Sequence, residues 1–286
     1  MRFDGPSLTA PSAARHRAVH QVLDGGAIFE DPVALALLGL EPNEVDPALR
    51  ADRSSQRMWW FIAARSRFAE DRARAAIRSG LSQVVVLGAG LDSFAYRLTS
   101  DLSVTVFEVD HLATQAWKRE RLDAARVEAT TTVVYVPVDF ETDDAFDALS
   151  AGGFNDAAPE MFLWLGVVPY LTLDAIGATL CMVARVLGAD VVFDYGEPVQ
   201  AREPARGLED AARARRVEAI GEPWLTSLTP GEVSELLERT GLRLVEYVDA
   251  ATFIGQLLSR PTGDGRTSAA HFVHASADVR PQLDRD

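Results

Sequence analysis

Short apolar runs alternate with longer amphipathic segments over most of the chain. Runs with the length and composition of strands cover residues 83–87, 104–109, 133–138, 161–165, 190–194, 242–248 and 270–275. Helical patterns cover residues 16–23, 32–38, 50–80, 112–126, 143–149, 173–187 and 230–240. Strands that alternate with helices predict an α/β fold in which a mostly parallel, seven-stranded sheet carries helices on both faces.

Two regions depart from this alternation. Residues 1–80 are mainly helical and are predicted to form an N-terminal cap that contributes to the site of a core at 81–286. Residues 196–229 are polar and rich in proline and arginine, and they follow the fifth strand. An insertion there suits a lid over the carboxyl edge of the sheet, where α/β proteins bind ligands. A solvated surface helix is the alternative. Residues 1–13 and 277–286 are expected to be loose.

Composition narrows the function classes. The formal charge of −14 opposes broad contact with nucleic-acid phosphates. No apolar run reaches the roughly 18 residues of a membrane span, and the first residues lack the apolar stretch of a signal peptide. Cys181 is the single cysteine, so an internal disulfide is excluded, and we expect its side chain in the core. A cytoplasmic protein without a metal site is expected.

The first two strands end in chemically informative residues. A Gly88-Ala-Gly90 turn follows the first strand, and Asp110 ends the second, twenty positions after Gly90. This spacing predicts a carboxylate beside the glycine turn, which suits the two hydroxyls of a ribose. A dinucleotide fingerprint would carry a third glycine at position 93, where this chain has Ser93. The substitution counts against a nicotinamide cofactor and leaves S-adenosylmethionine as the alternative.

Several motifs together resemble those of the leucine carboxyl methyltransferase-like family of S-adenosylmethionine-dependent O-methyltransferases, which is common in actinobacteria. The resemblance runs from about residue 15 to 250 and is carried by residues 65–68, 86–97, 107–111, 136–140, 164–170 and 221–224. It implies a Rossmann-like class I methyltransferase fold and S-adenosyl-L-methionine as the cofactor.

The resemblance also implies cofactor-binding residues, namely Arg65, Gly88, Gly90, Asp110, Asp139 and Phe140. Arg65 would hold the methionine carboxylate, because its paired donors match two carboxylate oxygens. The glycines would admit the methionine part, Asp110 would accept from the ribose, and the last two residues would frame adenine. The alternatives are a surface ion pair for the arginine, a tight turn for the glycines and helix caps for the aspartates.

Two positions depart from the family pattern. Glu141 stands where a protein-directed member would carry an arginine for its acceptor, which argues against a protein C-terminus as acceptor. Leu165-Gly166 stands where many relatives carry a glutamate that contacts the cofactor. The second departure removes one cofactor contact without threatening the fold.

The acceptor is expected to be a small carboxylic acid, because an ionised carboxylate needs no base and the strand ends offer few bases. His111 is expected to point away from the site, and His271 is interpreted as structural or facing solvent. An anionic acceptor would need a local cation, for which Arg202 and Arg206 of the insertion are candidates.

Three aromatic residues complete the predicted acceptor site. Tyr170 and Tyr195 follow the fourth strand and end the fifth, where a hydroxyl could orient an acceptor; packing with a wet tip is the alternative. Trp164 belongs to a mostly apolar segment that would line the acceptor pocket.

The sequence therefore predicts an O-methyltransferase, acting on a small molecule of specialised metabolism as a monomer or homodimer. A protein carboxyl methyltransferase, a non-catalytic S-adenosylmethionine-binding protein and a nicotinamide reductase remain alternatives.

Overall fold

The structure is a computed structural model that describes residues 7–140, 142–198, 204–219, 221–259 and 269–277. Its strands are β1 (Gln83–Leu87), β2 (Thr105–Asp110), β3 (Thr132–Pro137), β4 (Met161–Trp164), β5 (Asp190–Gly196), β6 (Leu242–Asp249) and β7 (Ala270–Ala277). The α-helices of the described residues are α1 (Ala10–Leu23), α2 (Pro32–Leu38), α3 (Arg53–Arg78), α4 (Leu112–Ala125), α5 (Ala145–Ala151), α6 (Leu173–Arg185), α7 (Pro204–Ala219), α8 (Pro230–Thr240) and α9 (Ala250–Leu257).

The strands form one sheet in the order β3-β2-β1-β4-β5-β7-β6. The first five strands are parallel, and β7 runs antiparallel to both of its neighbours. The predicted mostly parallel sheet of seven strands is confirmed. The strand order reverses between β1 and β4, which makes the carboxyl edge there the expected place for a ligand.

Helices cover both faces of the sheet because its inner strands are apolar on both sides. In β1, Val85 and Leu87 belong to a core that includes residues of α5, α6 and α8. Val84 and Val86 belong to a second core that includes residues of α3 and α9. The alternation follows the period of two residues that a strand imposes on its side chains.

The N-terminal region is more ordered than its composition suggests. Residues 7–13 were expected to be loose, but α1 begins at Ala10. The backbone N–H groups of Leu8 and Thr9 donate to the Glu222 carboxylate (2.8 and 3.0 Å). Because these N–H groups lie at the start of a helix, the carboxylate satisfies donors that the helix itself cannot.

The prediction for Cys181 was wrong, because its side chain is exposed. Helix α6 turns Ile176, Leu180 and Val183 to the core instead.

The C-terminal tail, expected to be loose from residue 277, is described only at Ala277, which ends β7. Residues 278–286 lie outside the described residues. Within the part that the structure describes, every helix is too short or too polar to cross a membrane.

A buried carboxylate joins the N-terminal helices to the turn after β1. Asp31 is fully buried and caps α2 by accepting the Ala34 N–H (3.0 Å). Its carboxylate also accepts from Arg17 Nε of α1 and from Ser93 Oγ (2.7 Å each) and lies 3.3 Å from Arg97 Nε. Burial opposes ionisation of Asp31, but the two guanidinium groups outweigh it and lower its pKa. Helix α3 shares a core with the sheet. The division of the chain into a cap and a core at residue 80 stays a prediction.

We expect Asp31→Asn to lower the free energy of unfolding by about 3 kcal/mol, because it leaves buried arginines without their anion. The stabilisation should be present above the ordinary pKa of 3.8 and lost as the pH falls through the lowered pKa. Asp71→Asn, which removes an exposed pair with Arg67, is the control and should cost less than about 1 kcal/mol. Urea unfolding of both variants measures this; equal losses would contradict the role given to Asp31.

Candidate functional site

A cavity of about 1100 Å³ opens at the carboxyl edge of the sheet, above the ends of β1, β2, β4 and β5. Residues of α1, α3 and the segment around α7 form its other walls. Each predicted cofactor residue lines it: Arg65, Gly88, Gly90, Asp110, Asp139 and Phe140. The structure therefore brings together, around one cavity, residues that are up to 75 positions apart in the chain (65 to 140).

The turn after β1 requires glycine at its first position. Gly88 has φ +65°, and its N–H donates to the Val109 carbonyl oxygen of β2 (2.8 Å). A Cβ on Gly88 would lie 2.4 Å from Val167 Cγ2, which is closer than carbon atoms can approach. Only glycine therefore fits at this point of the turn, which lines the cavity.

Asp110 meets the same turn from β2. Its carboxylate accepts the N–H groups of Gly90 and His111 (2.6 Å each). Burial raises the pKa of Asp110, and the two backbone N–H donors partly offset that effect. Since a carboxylate offers about four lone-pair sites, it retains acceptor capacity for the two hydroxyls of a ribose.

The Arg65 guanidinium is the strongest evidence that this cavity takes an anion. Its side chain is about nine-tenths buried, and its Nη1 donates one long hydrogen bond to Asp194 Oδ2 (3.4 Å). The buried Nε has no partner among the described residues. A buried guanidinium N–H without a partner is costly unless a ligand meets it, and a carboxylate matches the paired donors of an arginine.

Gly166, directly after β4, makes room for this arginine. A Cβ at Gly166 would lie 2.3 Å from Arg65 Nη1. The Gly166 N–H also donates to Asp194 Oδ1 (2.6 Å), which fixes the turn. The departure from the family glutamate at this point thus coincides with a close backbone approach to the guanidinium.

Asp139 and Phe140 follow β3 at the far end of the cavity. The Asp139 N–H donates to Asp143 Oδ2 (2.8 Å), and its carbonyl oxygen accepts from the Thr142 and Asp143 N–H groups. Both side chains are half-buried. The side that they face is therefore partly dry, as a heteroaromatic ring would require.

Much of the remaining lining of the cavity is apolar. Tyr170 and Tyr195 both line it, as the sequence predicts. Burial raises the pKa of Tyr195, whose hydroxyl donates to Tyr247 Oη (3.3 Å). Further apolar lining comes from Met58, Phe61, Leu171, Trp224, Leu225 and Ile254.

One predicted acceptor residue does not contribute in the expected way, and two others stay predictions because the structure does not describe their side chains. Trp164 is fully buried, packs against Phe193 (ring centroids 5.9 Å apart) and does not line the cavity. It shares a face of β4 with Phe162, so the strand's alternation directs it to the core. Arg202 lies outside the described residues; Arg206 belongs to α7, but its side chain is not described.

One of two histidines near the strand ends differs from the expectation. His111 lines the cavity, where its Nδ1 accepts from the Ala113 N–H (3.3 Å) at the start of α4. His271 is buried, which agrees with the structural alternative, and its Nε2 lies 2.6 Å from Glu197 Oε1. Its Nδ1 lies 2.7 Å from Tyr247 Oη. Sequence reasoning missed Glu197, which lines the cavity two residues after Tyr195.

Glu108, one pleat deeper than Asp110 on the same face of β2, does not touch the glycine turn. It is buried with Lys118, whose Nζ lies 2.6 Å from its carboxylate. Burial raises the pKa of Glu108 against the opposing effect of that ammonium. The described residues contain no cluster of metal-ligating side chains.

Comparison with known proteins identifies the family. The model of the leucine carboxyl methyltransferase family matches residues 10–184, more than half of the chain. The chain belongs to this family. A relative in Mycobacteroides abscessus, named as an S-adenosyl-L-methionine-dependent methyltransferase, is 30% identical, with 90% of this chain and 98% of that protein covered. A similarly named protein of Bacillus subtilis, YktD, is 28% identical to this chain, with 96% of this chain and 99% of that protein covered.

The fold agrees with a solved structure. A DUF574 family protein from Streptomyces avermitilis superposes with a TM-score of 0.52 at 18% identity, covering 92% of this chain and 97% of that one. The fold of the present chain is the Rossmann-like methyltransferase fold. The protein is an S-adenosylmethionine-dependent methyltransferase, and S-adenosylmethionine is its cofactor.

Gly88→Ala should abolish measurable binding of S-adenosylhomocysteine, because the added methyl group would overlap Val167 in a backbone that also disfavours alanine. Gly177→Ala is the matched control, since a Cβ at this helical position meets nothing within 4 Å. Isothermal titration calorimetry compares the two. Wild-type affinity in the Gly88 variant would show that the turn does not form the binding surface.

Asp110→Ala should weaken binding of S-adenosylhomocysteine by about 2–4 kcal/mol, roughly 30- to 1000-fold, because the ribose loses charged acceptors. In the wild type, affinity should decrease on acidification, since protonation of the Asp110 carboxyl, whose pKa is raised, removes an acceptor. Asp144→Ala is the control; that carboxylate also accepts two backbone N–H groups, at the start of α5. A calorimetric affinity that is the same in both variants would refute the assignment of Asp110.

Proposed function

We propose that this methyltransferase forms methyl esters on a small, mostly apolar carboxylic acid of specialised metabolism. The supporting observation is that one cavity joins the cofactor residues at the sheet edge to an apolar wall that also contains an arginine from α7. The residues fit S-adenosylmethionine: Arg65 has a buried donor without a partner among the described residues, Asp110 has spare acceptor capacity, and Gly88 lines the cavity without a side chain.

The cofactor supplies an electrophilic methyl group on a sulfonium, and the protein must place a nucleophile opposite the sulfur. Orientation of two bound reactants provides much of the acceleration of such a displacement. Phe61, Trp224 and Ile254 would hold the apolar body of the acceptor and exclude water. A carboxylate is ionised at neutral pH, so the transfer needs no base.

The segment after β5 supplies the cation that an anionic acceptor needs. Arg216 is an exposed residue of α7 that lines the cavity, whereas the neighbouring Arg215 does not. Residues 221–227 continue this part of the cavity lining, to which they contribute Glu222, Trp224 and Leu225. We propose that residues 196–229 act as the lid and that Arg216 takes the role expected of Arg202 or Arg206.

Methylation of a hydroxyl is the second candidate, and the structure offers a specific observation in its favour. Tyr195, Tyr247, His271 and Glu197 form a continuous hydrogen-bonded chain that begins and ends at the cavity wall. A carboxylate paired with a histidine could accept the proton that a phenol or alcohol must lose. In the carboxylate reaction, Tyr170 and Tyr195 would only orient the acceptor.

The two candidates differ in the groups that they methylate and in pH dependence. We would incubate the protein with methyl-labelled S-adenosylmethionine and matched pairs of aromatic acids and phenols, and follow the label into organic extract. Ester formation, with a rate that is flat from about pH 6 to 8, supports the proposal, because a carboxylate of ordinary pKa is already ionised there. Label in phenol ethers alone would replace it with the second candidate.

Arg216→Ala should raise the KM for the carboxylic acid about tenfold or more and leave the affinity for S-adenosylhomocysteine unchanged, because it removes a charged contact to the acceptor alone. Arg215→Ala is the matched control on the same helix and should leave both unchanged. Steady-state kinetics and calorimetry together measure this. A loss of cofactor affinity in the Arg216 variant would contradict the proposal, because it would show that Arg216 acts on the cofactor and not on the acceptor alone.

A further inference from the structure

We propose that Asp194 binds the α-ammonium group of the cofactor's methionine part, beside Arg65, which binds the carboxylate. The inference rests on the proposed cofactor site and assigns the acidic half of its amino-acid subsite. A zwitterionic α-amino acid carries both charged groups on one carbon atom, so its anion-binding and cation-binding residues must be neighbours. The acid that meets the ammonium must therefore lie next to Arg65.

Asp194 is the acid that satisfies this condition. It lines the cavity from β5, is 4% exposed, and its Oδ2 lies 3.4 Å from Arg65 Nη1. Its Oδ1 accepts the Gly166 N–H at 2.6 Å. A carboxylate with these two contacts keeps lone pairs for a further donor.

The long contact to Arg65 argues that this is more than a closed ion pair. A buried arginine–aspartate pair with both partners satisfied would form two short hydrogen bonds in parallel. Here the guanidinium offers one bond of 3.4 Å, and its buried Nε has no partner among the described residues. A cation and an anion that both face a cavity with capacity left over form a receptor for a zwitterion.

Other acids that line the cavity have different positions or partners. Asp110 accepts the Gly90 and His111 N–H groups. Glu222 accepts from Leu8 and Thr9 at the start of α1. Leu165, which directly follows the adjacent strand β4, carries no charge, whereas the Asp194 carboxylate lies beside Gly166 and accepts its N–H.

The variant Asp194→Asn tests this, because an amide oxygen can still accept the Gly166 N–H while the charge is removed. Binding would be measured calorimetrically for three probes: S-adenosylhomocysteine, its analogue without the amino group, and 5′-methylthioadenosine, which lacks the amino-acid part. Asp190→Asn, at the other end of β5 beside His274, is the matched control. Thermal unfolding checks that each variant is folded.

We expect Asp194→Asn to weaken S-adenosylhomocysteine about 10- to 100-fold, as loss of a charged hydrogen bond predicts. Binding of the deamino analogue and of 5′-methylthioadenosine should stay within about twofold of wild type, and Asp190→Asn should change none of the three.

Other outcomes have distinct meanings. Equal losses for S-adenosylhomocysteine and its deamino analogue would overturn the proposal and leave Asp194 as a residue that only positions Arg65. Losses for all three probes would show a structural role and also overturn it. No binding of S-adenosylhomocysteine to the wild type would instead refute the cofactor site on which the proposal rests.

Discussion

The hydrogen bond from the Gly90 N–H to the Asp110 carboxylate (2.6 Å) ties the ends of β1 and β2 together, and the geometry of the site depends on it. It holds the glycine turn against the neighbouring strand and places a half-buried carboxylate at the cavity. The turn can adopt this path only because residue 88 is a glycine: its φ is +65°, and a side chain there would overlap Val167. The reversal of strand order beside β1 leaves the edge above the turn open to a ligand.

The walls of the cavity come from both ends of the chain, and polar contacts hold them. Glu222 caps the start of α1, and Ala10 of that helix packs close to Gly90: a Cβ on the glycine would lie 3.1 Å from Ala10 Cβ. Asp31 anchors α1 and α2 to Ser93 beneath the turn. Ser93 replaces the third glycine of a dinucleotide fingerprint, and its hydroxyl is used in this anchor. The same residue that argues against a nicotinamide cofactor therefore stabilises the cap.

Much of the fold could be predicted because the relevant signals are local. β1 matches its predicted bounds, since an apolar run ends at a glycine turn. Helix α1 begins at Ala10 and not at the predicted residue 16. Its amphipathic pattern is weak, since Arg17 and His20 are buried. Helix α9 was missed although Asp249 caps it by accepting the Thr252 N–H (2.9 Å). The sequence of α9 is apolar and follows a strand directly, so the change from the two-residue period of a strand to the 3.6-residue period of a helix is not visible.

The site residues also divide into those that local sequence signals could predict and those that they could not. Cofactor residues follow strand ends at family spacing, so all six predicted residues line the cavity. The prediction for Trp164 failed because a strand buried on both faces does not show which face meets the cavity. Asp194 and the Glu197–His271 pair were missed because their roles depend on residues far away in sequence, which only the folded sheet brings together.

The central claim is that this cavity is built for an S-adenosyl amino acid. The most direct test is a calorimetric titration of the wild-type protein with S-adenosylhomocysteine and, in parallel, with NADH. The account predicts saturable binding of S-adenosylhomocysteine at one site per chain and no binding of NADH. Tight binding of NADH, or no binding of S-adenosylhomocysteine, would contradict it.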